Sequence, residues 1–163
     1  MFSIFFIFIP KDLYMKIDGI DKKIIRTLIK DARTPILSIA RDVGISGAAI
    51  HQRLRKLEKS DLIDGYHMLI NPKSLGYTTT AFVGVHVESS AVLTSIIKRL
   101  KDIPEVLESH YTTGSFTIFI KILCKNNEGL MQVLDSKIKE INGVSKFETF
   151  ISLNQQIDRQ IDI

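Results

Sequence analysis

A single cysteine, Cys124, in 163 residues excludes an internal disulfide and fits a reducing compartment. It stands in an apolar alternating run and reads as a small core residue. The four histidines, His51, His67, His86 and His110, are well spread. With no cysteine pair and no histidine pair at ligand spacing, no zinc site is expected, and no cofactor. A glycine-rich phosphate loop and a nucleophile elbow are both absent. Long apolar runs are lacking too. Phe2 to Ile9 is almost wholly apolar, but it is far too short to span a bilayer. It also lacks the preceding positive charge and the small-residue cleavage site of a signal peptide. No membrane partner is therefore expected, and the location expected is the cytoplasm. Two readings of the start stay open. Residues 1–14 form an extension outside the fold, through a misassigned start ahead of Met15, or Phe5, Phe6 and Phe8 cover an apolar surface on a partner subunit.

What is present is enough for one ordinary domain or two small ones, and 45% hydrophobic residues support real cores. The net charge of +4 is unevenly placed. Residues 1–77 carry 13 Lys/Arg against 8 Asp/Glu, and residues 78–163 carry 9 against 10. The positive excess lies in the first half, as a phosphate-binding domain requires.

That half contains Ile36 to Leu57, ILSIARDVGISGAAIHQRLRKL, which reads as two helices joined by a tight turn. Small Ala40 lets the helices cross closely. Gly44 can take the positive φ that a three-residue turn demands. Ser46 is a good N-cap for the second helix, and Ile50 points back into the shared core. Taking Ile50 as zero and about 100° per residue, Leu54 falls at ~40° and Leu57 at ~340°, forming one apolar stripe. Ala48, Gln52, Arg55 and Lys59 fall between ~140° and ~200°, on the opposite face, flanked by His51 and Lys56. Arg, Gln and His can hydrogen-bond base edges, and Ala48 permits close approach or contact with a thymine methyl. The plain alternative is a solvated basic helix, but turn, cap and stripe agree on a helix-turn-helix, whose second helix enters the DNA major groove. The expected DNA-binding residues are Ser46, Ala48, His51, Gln52, Arg53, Arg55, Lys56 and Lys59. Arg53, at ~300°, is expected either to form an intramolecular ion pair or to reach a phosphate.

Ahead of this, Asp18 can cap a helix running to about Asp31, with Ile20, Ile24, Ile25, Leu28 and Ile29 on its buried face. Thr34 is the expected cap of the next helix, with Pro35 in its first turn. After Ser60, Leu62-Ile63 and Tyr66 to Ile70 suggest two short strands around Asp64-Gly65, a wing. The expected DNA-binding domain is 15–71, followed by a linker at 72–77 and a second domain at 78–163.

The second domain alternates differently. Thr80 to Glu88, Val106 to Thr112, Phe116 to Cys124 and Val144 to Leu153 are β-rich, while Ala91 to Lys101 and Leu130 to Ile141 have helical spacing. Thr113-Gly114-Ser115 is a hairpin signal. The order is β-α-β-β-α-β, a ferredoxin-like fold, so the class expected is α+β. Phe82, Val83, Val85, Val87, Ile118, Phe119, Ile120 and Ile122 put apolar groups on both faces of the sheet. Two subunits packing sheet to sheet would cover the second face.

A winged helix-turn-helix followed by a βαββαβ domain resembles the Lrp/AsnC family, the feast/famine transcription regulators. The resemblance covers about residues 16 to 154. It is carried by Asp18-x-x-Asp21, Ile24-Ile25, Asp31-Ala32-Arg33, Ile39-Ala40, Val43-Gly44-Ile45-Ser46, Arg53-Leu54 and Leu57-Glu58. Ile63-x-Gly65-Tyr66, Pro72, Leu75-Gly76-Tyr77, Pro104-x-Val106, Thr113-Gly114-x-Phe116, Gly143-Val144 and Thr149 continue it. It implies a sequence-specific, non-enzymatic regulator that binds double-stranded promoter DNA. It also implies dimers that assemble further into tetramers or octamers, and modulation by an amino acid or other small molecule. The family's effector loop usually reads Gly-x-Tyr/Phe-Asp, and here it is Gly114-Ser115-Phe116-Thr117. The effector is expected near Gly114, Ser115, Phe116 and Thr117, with Thr149 and Ser152 from the last strand close by. Thr117 offers a neutral hydroxyl where the family usually has a carboxylate, so weak or absent amino-acid binding is expected. Gly114 can also be read as a plain hairpin turn. Two other functional readings stand beside this one. One is an enzyme resembling the siroheme decarboxylases, which share the architecture, with His110-Tyr111 as acid-base residues. The other is a small-molecule sensor with little DNA binding.

Overall fold

The computed structural model describes residues 15–163, so the expectations for residues 1–14 fall outside the described residues. The chain divides into two compact units, each with its own core.

The first unit runs to Met68 and includes Arg159–Ile163. It holds α1 (Gly19–Lys30), α2 (Ile36–Val43) and α3 (Gly47–Lys59). Asp18 caps α1 in a reciprocal capping box with Asp21, which satisfies orphan donors at both positions. Gly44 ends α2 with φ 73°, the left-handed conformation that a helix stop favours. Ile24, Ile25, Ile39, Ala40, Ile50, Leu54 and Leu57 form the core.

Three expectations for this unit are corrected. Pro35, not Thr34, is the N-cap of α2, and it has no side-chain cap bond. The Thr34 hydroxyl instead donates to the carbonyl of Asp31 (2.8 Å). The wing does not form, since residues 63–71 contain no strand. An isolated two-stranded hairpin is marginal in water. Here Ile63 turns into the helical core, while Met68, Leu69 and Ile70 stay exposed. Finally, Arg159–Ile163 joins the first unit rather than the second. Ile163 packs on the helical core, and Asp162 lies 4.0 Å from Arg26.

The second unit, Leu69–Asp158, holds β1 (Thr79–Val87), α4 (Leu93–Lys101), β2 (Val106–Tyr111), β3 (Ile118–Cys124), α5 (Asn127–Val133) and β4 (Val144–Ser152). A π-helical turn over Leu134–Ile138 extends α5. The strands form one antiparallel sheet in the order β2-β3-β1-β4, the ferredoxin-like arrangement. The last helix begins at Asn127, ahead of the expected Leu130, because the Asn126 side chain accepts from the Gly129 N–H and caps it (2.8 Å).

Strand alternation assigns the two faces. Ala81, Val83, Val85, Ile118, Ile120 and Ile122 are buried in one core with Ile96, Leu100, Leu130, Val133 and Ile138 from the helical layer. The outer face carries Phe82 and Phe119, stacked with centroids 5.9 Å apart. Phe116 lies between Phe119 and Phe150, 6.1 Å from each, and meets the His86 ring edge-on at 5.2 Å. Gly84 makes room for it, since a Cβ there would overlap the Phe116 ring.

Candidate nucleic-acid interface

Local chemistry and packing together decide how α3 is presented. The Ser46 hydroxyl accepts from the Ala49 N–H (3.2 Å) and starts the helix. Ile50, Leu54 and Leu57 bury its inner stripe. The remaining arc gathers Ala48, His51, Gln52, Arg55, Lys56 and Lys59, all exposed. Together with Ser60 they line an open groove of about 720 Å³. Six of the eight residues expected to bind DNA thus share one surface, and Ser46 stands at its N-terminal end.

Arg53 does not share it. Of its two expected roles, the ion pair is the one formed. Its Nη1 donates to Asp18 Oδ2 and to Asp21 Oδ1, each at 2.7 Å. Asp21 is buried and Asp18 half exposed. Hydrogen bonding from the Asp21 N–H and from Arg53 holds the Asp18 carboxyl below its usual range, and the two carboxylates raise the Arg53 guanidinium.

The expected effector residues are only partly brought together. The loop between β2 and β3 is closed by the Thr117 N–H donating to the Val85 carbonyl (3.0 Å) and the Thr112 N–H donating to Thr117 O (3.1 Å). The Thr112 hydroxyl donates to the Phe116 carbonyl. The N–H groups of Gly114 and Ser115 meet no acceptor among the described residues. Gly114 has open space where a Cβ would stand, so no contact among the described residues requires glycine there.

The Phe116 ring lies across the outer sheet face, against His86, Phe119 and Phe150. Thr149 pairs with Val83, so it belongs to the helix-side face, opposite Phe116. Ser152 pairs with Thr80, four residues along β1 from Gly84, roughly 13 Å at the rise of a strand. Within one protomer neither joins the loop. His110 and Tyr111, the acid-base pair of the enzyme reading, lie in register with Phe119 and Ile118 and so on opposite faces.

Among the described residues no three His, Cys, Asp or Glu side chains are grouped to hold a metal ion. None of the described helices is long and apolar enough to cross a membrane.

Residues 17–58 match the AsnC-type helix-turn-helix domain, and residues 80–161 match the Lrp/AsnC ligand binding domain. The chain belongs to the Lrp/AsnC family. It is 39% identical over 145 residues to the regulatory protein AsnC of Haemophilus influenzae, covering 89% of this chain and 97% of the relative. The solved structure of Escherichia coli AsnC is similar with a TM-score of 0.88 at 35% identity, over 91% of this chain and 100% of that one. A feast or famine regulatory protein from M. tuberculosis, complexed with L-methionine, has a TM-score of 0.82 at 27% identity. That likeness covers 91% of this chain and all of the other.

As a Lrp/AsnC protein the chain is a DNA-binding transcriptional regulator. Two features of the site were not assigned from sequence. One is the acidic anchor of Arg53, whose signal was Asp18-x-x-Asp21 with a carboxylate at an N-cap. The other is the aromatic surface around Phe116 and Phe150, whose signal was a lone glycine, Gly84, inside a strand.

Proposed function

We propose that α3 enters the major groove, with Gln52 and Arg55 reading base edges and Lys56 and Lys59 neutralising phosphates. Ala48 and His51 border the bases, and Ser46 fixes the helix start from which they project. The observation that carries this reading is the gathering of these side chains on one exposed arc. Arg can bond a guanine edge in two places and Gln an adenine edge, while lysines anchor without discriminating. The protein acts by binding rather than catalysis, in the cytoplasm, on double-stranded promoter DNA. In place of the expected bounds 15–71, 72–77 and 78–163, the DNA-binding domain is taken as the helical unit to Met68 with the tail Arg159–Ile163, and the second domain as Leu69–Asp158.

The outer sheet face supports a homodimer, the unit from which tetramers or octamers are built. Phe82, Phe116, Phe119 and Phe150 form its apolar centre. The pairs Lys121–Glu108 and Lys146–Glu148, each 2.8 Å, form its charged rim. This is the anatomy of a protein interface. We locate a small effector at the Gly114 and Ser115 N–H groups, which meet no acceptor among the described residues and suit a carboxylate. The bound L-methionine of the M. tuberculosis relative supports an amino acid as its class.

The test is selection of bound duplexes from a random pool with the purified protein. A two-fold symmetric motif, with half-sites one or more helical turns (~34–36 Å) apart, is expected. Recovery of unenriched DNA would overturn the reading.

A further inference from the structure

The helical unit has a polar lock that bears on reading rather than on contact. We propose that Arg53, Asp18 and Asp21 form a clamp that sets the rotation of α3 about its own axis, and thereby the operator specificity of Arg55 and Gln52. This rests on α3 being the base-reading helix.

The geometry is unusual for a surface ion pair. One terminal nitrogen of Arg53 bonds two carboxylates at 2.7 Å. Neither carboxylate is loose. Asp18 Oδ1 accepts from the N–H groups of Ile20 and Asp21 (2.9 and 2.8 Å), while Asp21 Oδ2 accepts from the Asp18 N–H (3.1 Å). The second oxygen of each points to Arg53. The anchor is therefore tied to the backbone of the first turn of α1. Among the described residues Arg53 makes the only ion pair joining α3 to α1.

On α3, Arg53 stands one residue before buried Leu54 and two before exposed Arg55. It sits at the flank of the buried stripe, where a tether resists rotation best. The apolar stripe alone is a weaker guide, because hydrophobic contact is non-directional. A rotation of about 20° moves a side-chain tip about 6 Å from the helix axis by roughly 2 Å. That exceeds the tolerance of a hydrogen bond, so a bidentate base contact is lost while a lysine still reaches a phosphate.

The full chain is compared with Arg53→Met, Asp21→Asn and Asp18→Asn, the last keeping a cap oxygen on α1. Affinity is measured for the selected operator and for random duplex, across a salt series. The expected result is a fall of about tenfold in the operator-to-random ratio for Arg53→Met and Asp21→Asn, and a smaller fall for Asp18→Asn, with the salt slope unchanged. On charge alone, removing a carboxylate would raise affinity for every duplex alike and leave the ratio unchanged, so a fall in the ratio for the two aspartate variants separates the clamp from a charge effect. Partial unfolding lowers both affinities together and leaves the ratio intact. A slope reduced by about one in Arg53→Met, with equal loss on both duplexes, would make Arg53 a phosphate anchor and overturn the clamp. An unchanged ratio in all three variants would also overturn it. Arg55→Ala, run alongside, tests the base-reading role separately: if it loses specificity while Arg53→Met does not, only the clamp fails.

Discussion

Phe150 and Ile151 are neighbours on β4 with equal exposure, 49% and 50%, yet they point to opposite faces of the sheet. Phe150 pairs with Phe82 on the outer face, and Ile151 with buried Ala81 on the helix side. If the outer face is the dimer interface, only Phe150 is buried by association. Complete burial of a phenylalanine contributes about 2 kcal/mol. The exposed half of Phe150 then contributes about 1 kcal/mol per protomer, and a two-fold interface counts it twice, about 2 kcal/mol. Phe150→Ala should raise the dimer dissociation constant about thirtyfold, at about 1.4 kcal/mol per factor of ten. The monomer loses the other half, about 1 kcal/mol, small beside a typical stability of 5–15 kcal/mol. Phe150→Asp should act more strongly, because each dimer would bury two unpaired carboxylates. Sedimentation velocity over a concentration series reads the constant, and circular dichroism confirms that each variant stays folded. Ile151→Asp is the control and should leave the constant unchanged. If Ile151→Asp dissociates the dimer and Phe150→Asp does not, the interface lies on the other side of the sheet and the reasoning fails.

Other expectations follow from single groups. Lys59→Ala should reduce the slope of log affinity against log salt by about one, on operator and random DNA alike; an unchanged slope would remove Lys59 from the phosphate contacts. Thr117→Asp should bind amino acids about tenfold more tightly than the wild type, since a charged hydrogen bond exceeds a neutral one by roughly 1.4 kcal/mol; calorimetry with the twenty amino acids decides it, and no gain would count against an effector at this loop. Hydrogen bonds from the Asp21 N–H and from Arg53 hold the Asp18 carboxyl below its ordinary 3.8, so as pH falls below that value the folded state binds fewer protons than the unfolded one. Its contribution to the stability of the helical unit is complete above 3.8 and is lost as pH falls through the folded value. Acid titration of Asp18→Asn by circular dichroism should lack this component; an unchanged acid profile would exclude it.

Much of the fold was readable because it is written locally. Gly44 and Ser46 act through their own backbone and cap chemistry, and the stripe of Ile50, Leu54 and Leu57 follows from one helical period. The exposed arc of α3 comes from the same count. What escaped depends on partners far along the chain. Tyr66 to Ile70 has strand composition, but a strand needs another strand, and none is offered among the described residues. Thr149 was expected beside Phe116 because the family resemblance set the last strand next to the effector loop, not because of any local pattern. The register of β4 on β1 places them on opposite faces, and a shift of one residue would reverse that. Arg53 had two open roles because its wheel angle gives a direction and not a partner. Asp18 and Asp21 were visible as a pair, but only the fold brings them to α3. The tail Arg159–Ile163 carries no periodicity that would predict its docking on α1.

The central claim is that one face of α3 reads DNA sequence. The most direct measurement is the affinity of Arg55→Ala for the selected operator and for random duplex at one salt concentration. Loss of about 1–3 kcal/mol on the operator with much less on random DNA is the predicted result. Equal loss on both, or none on either, would contradict it.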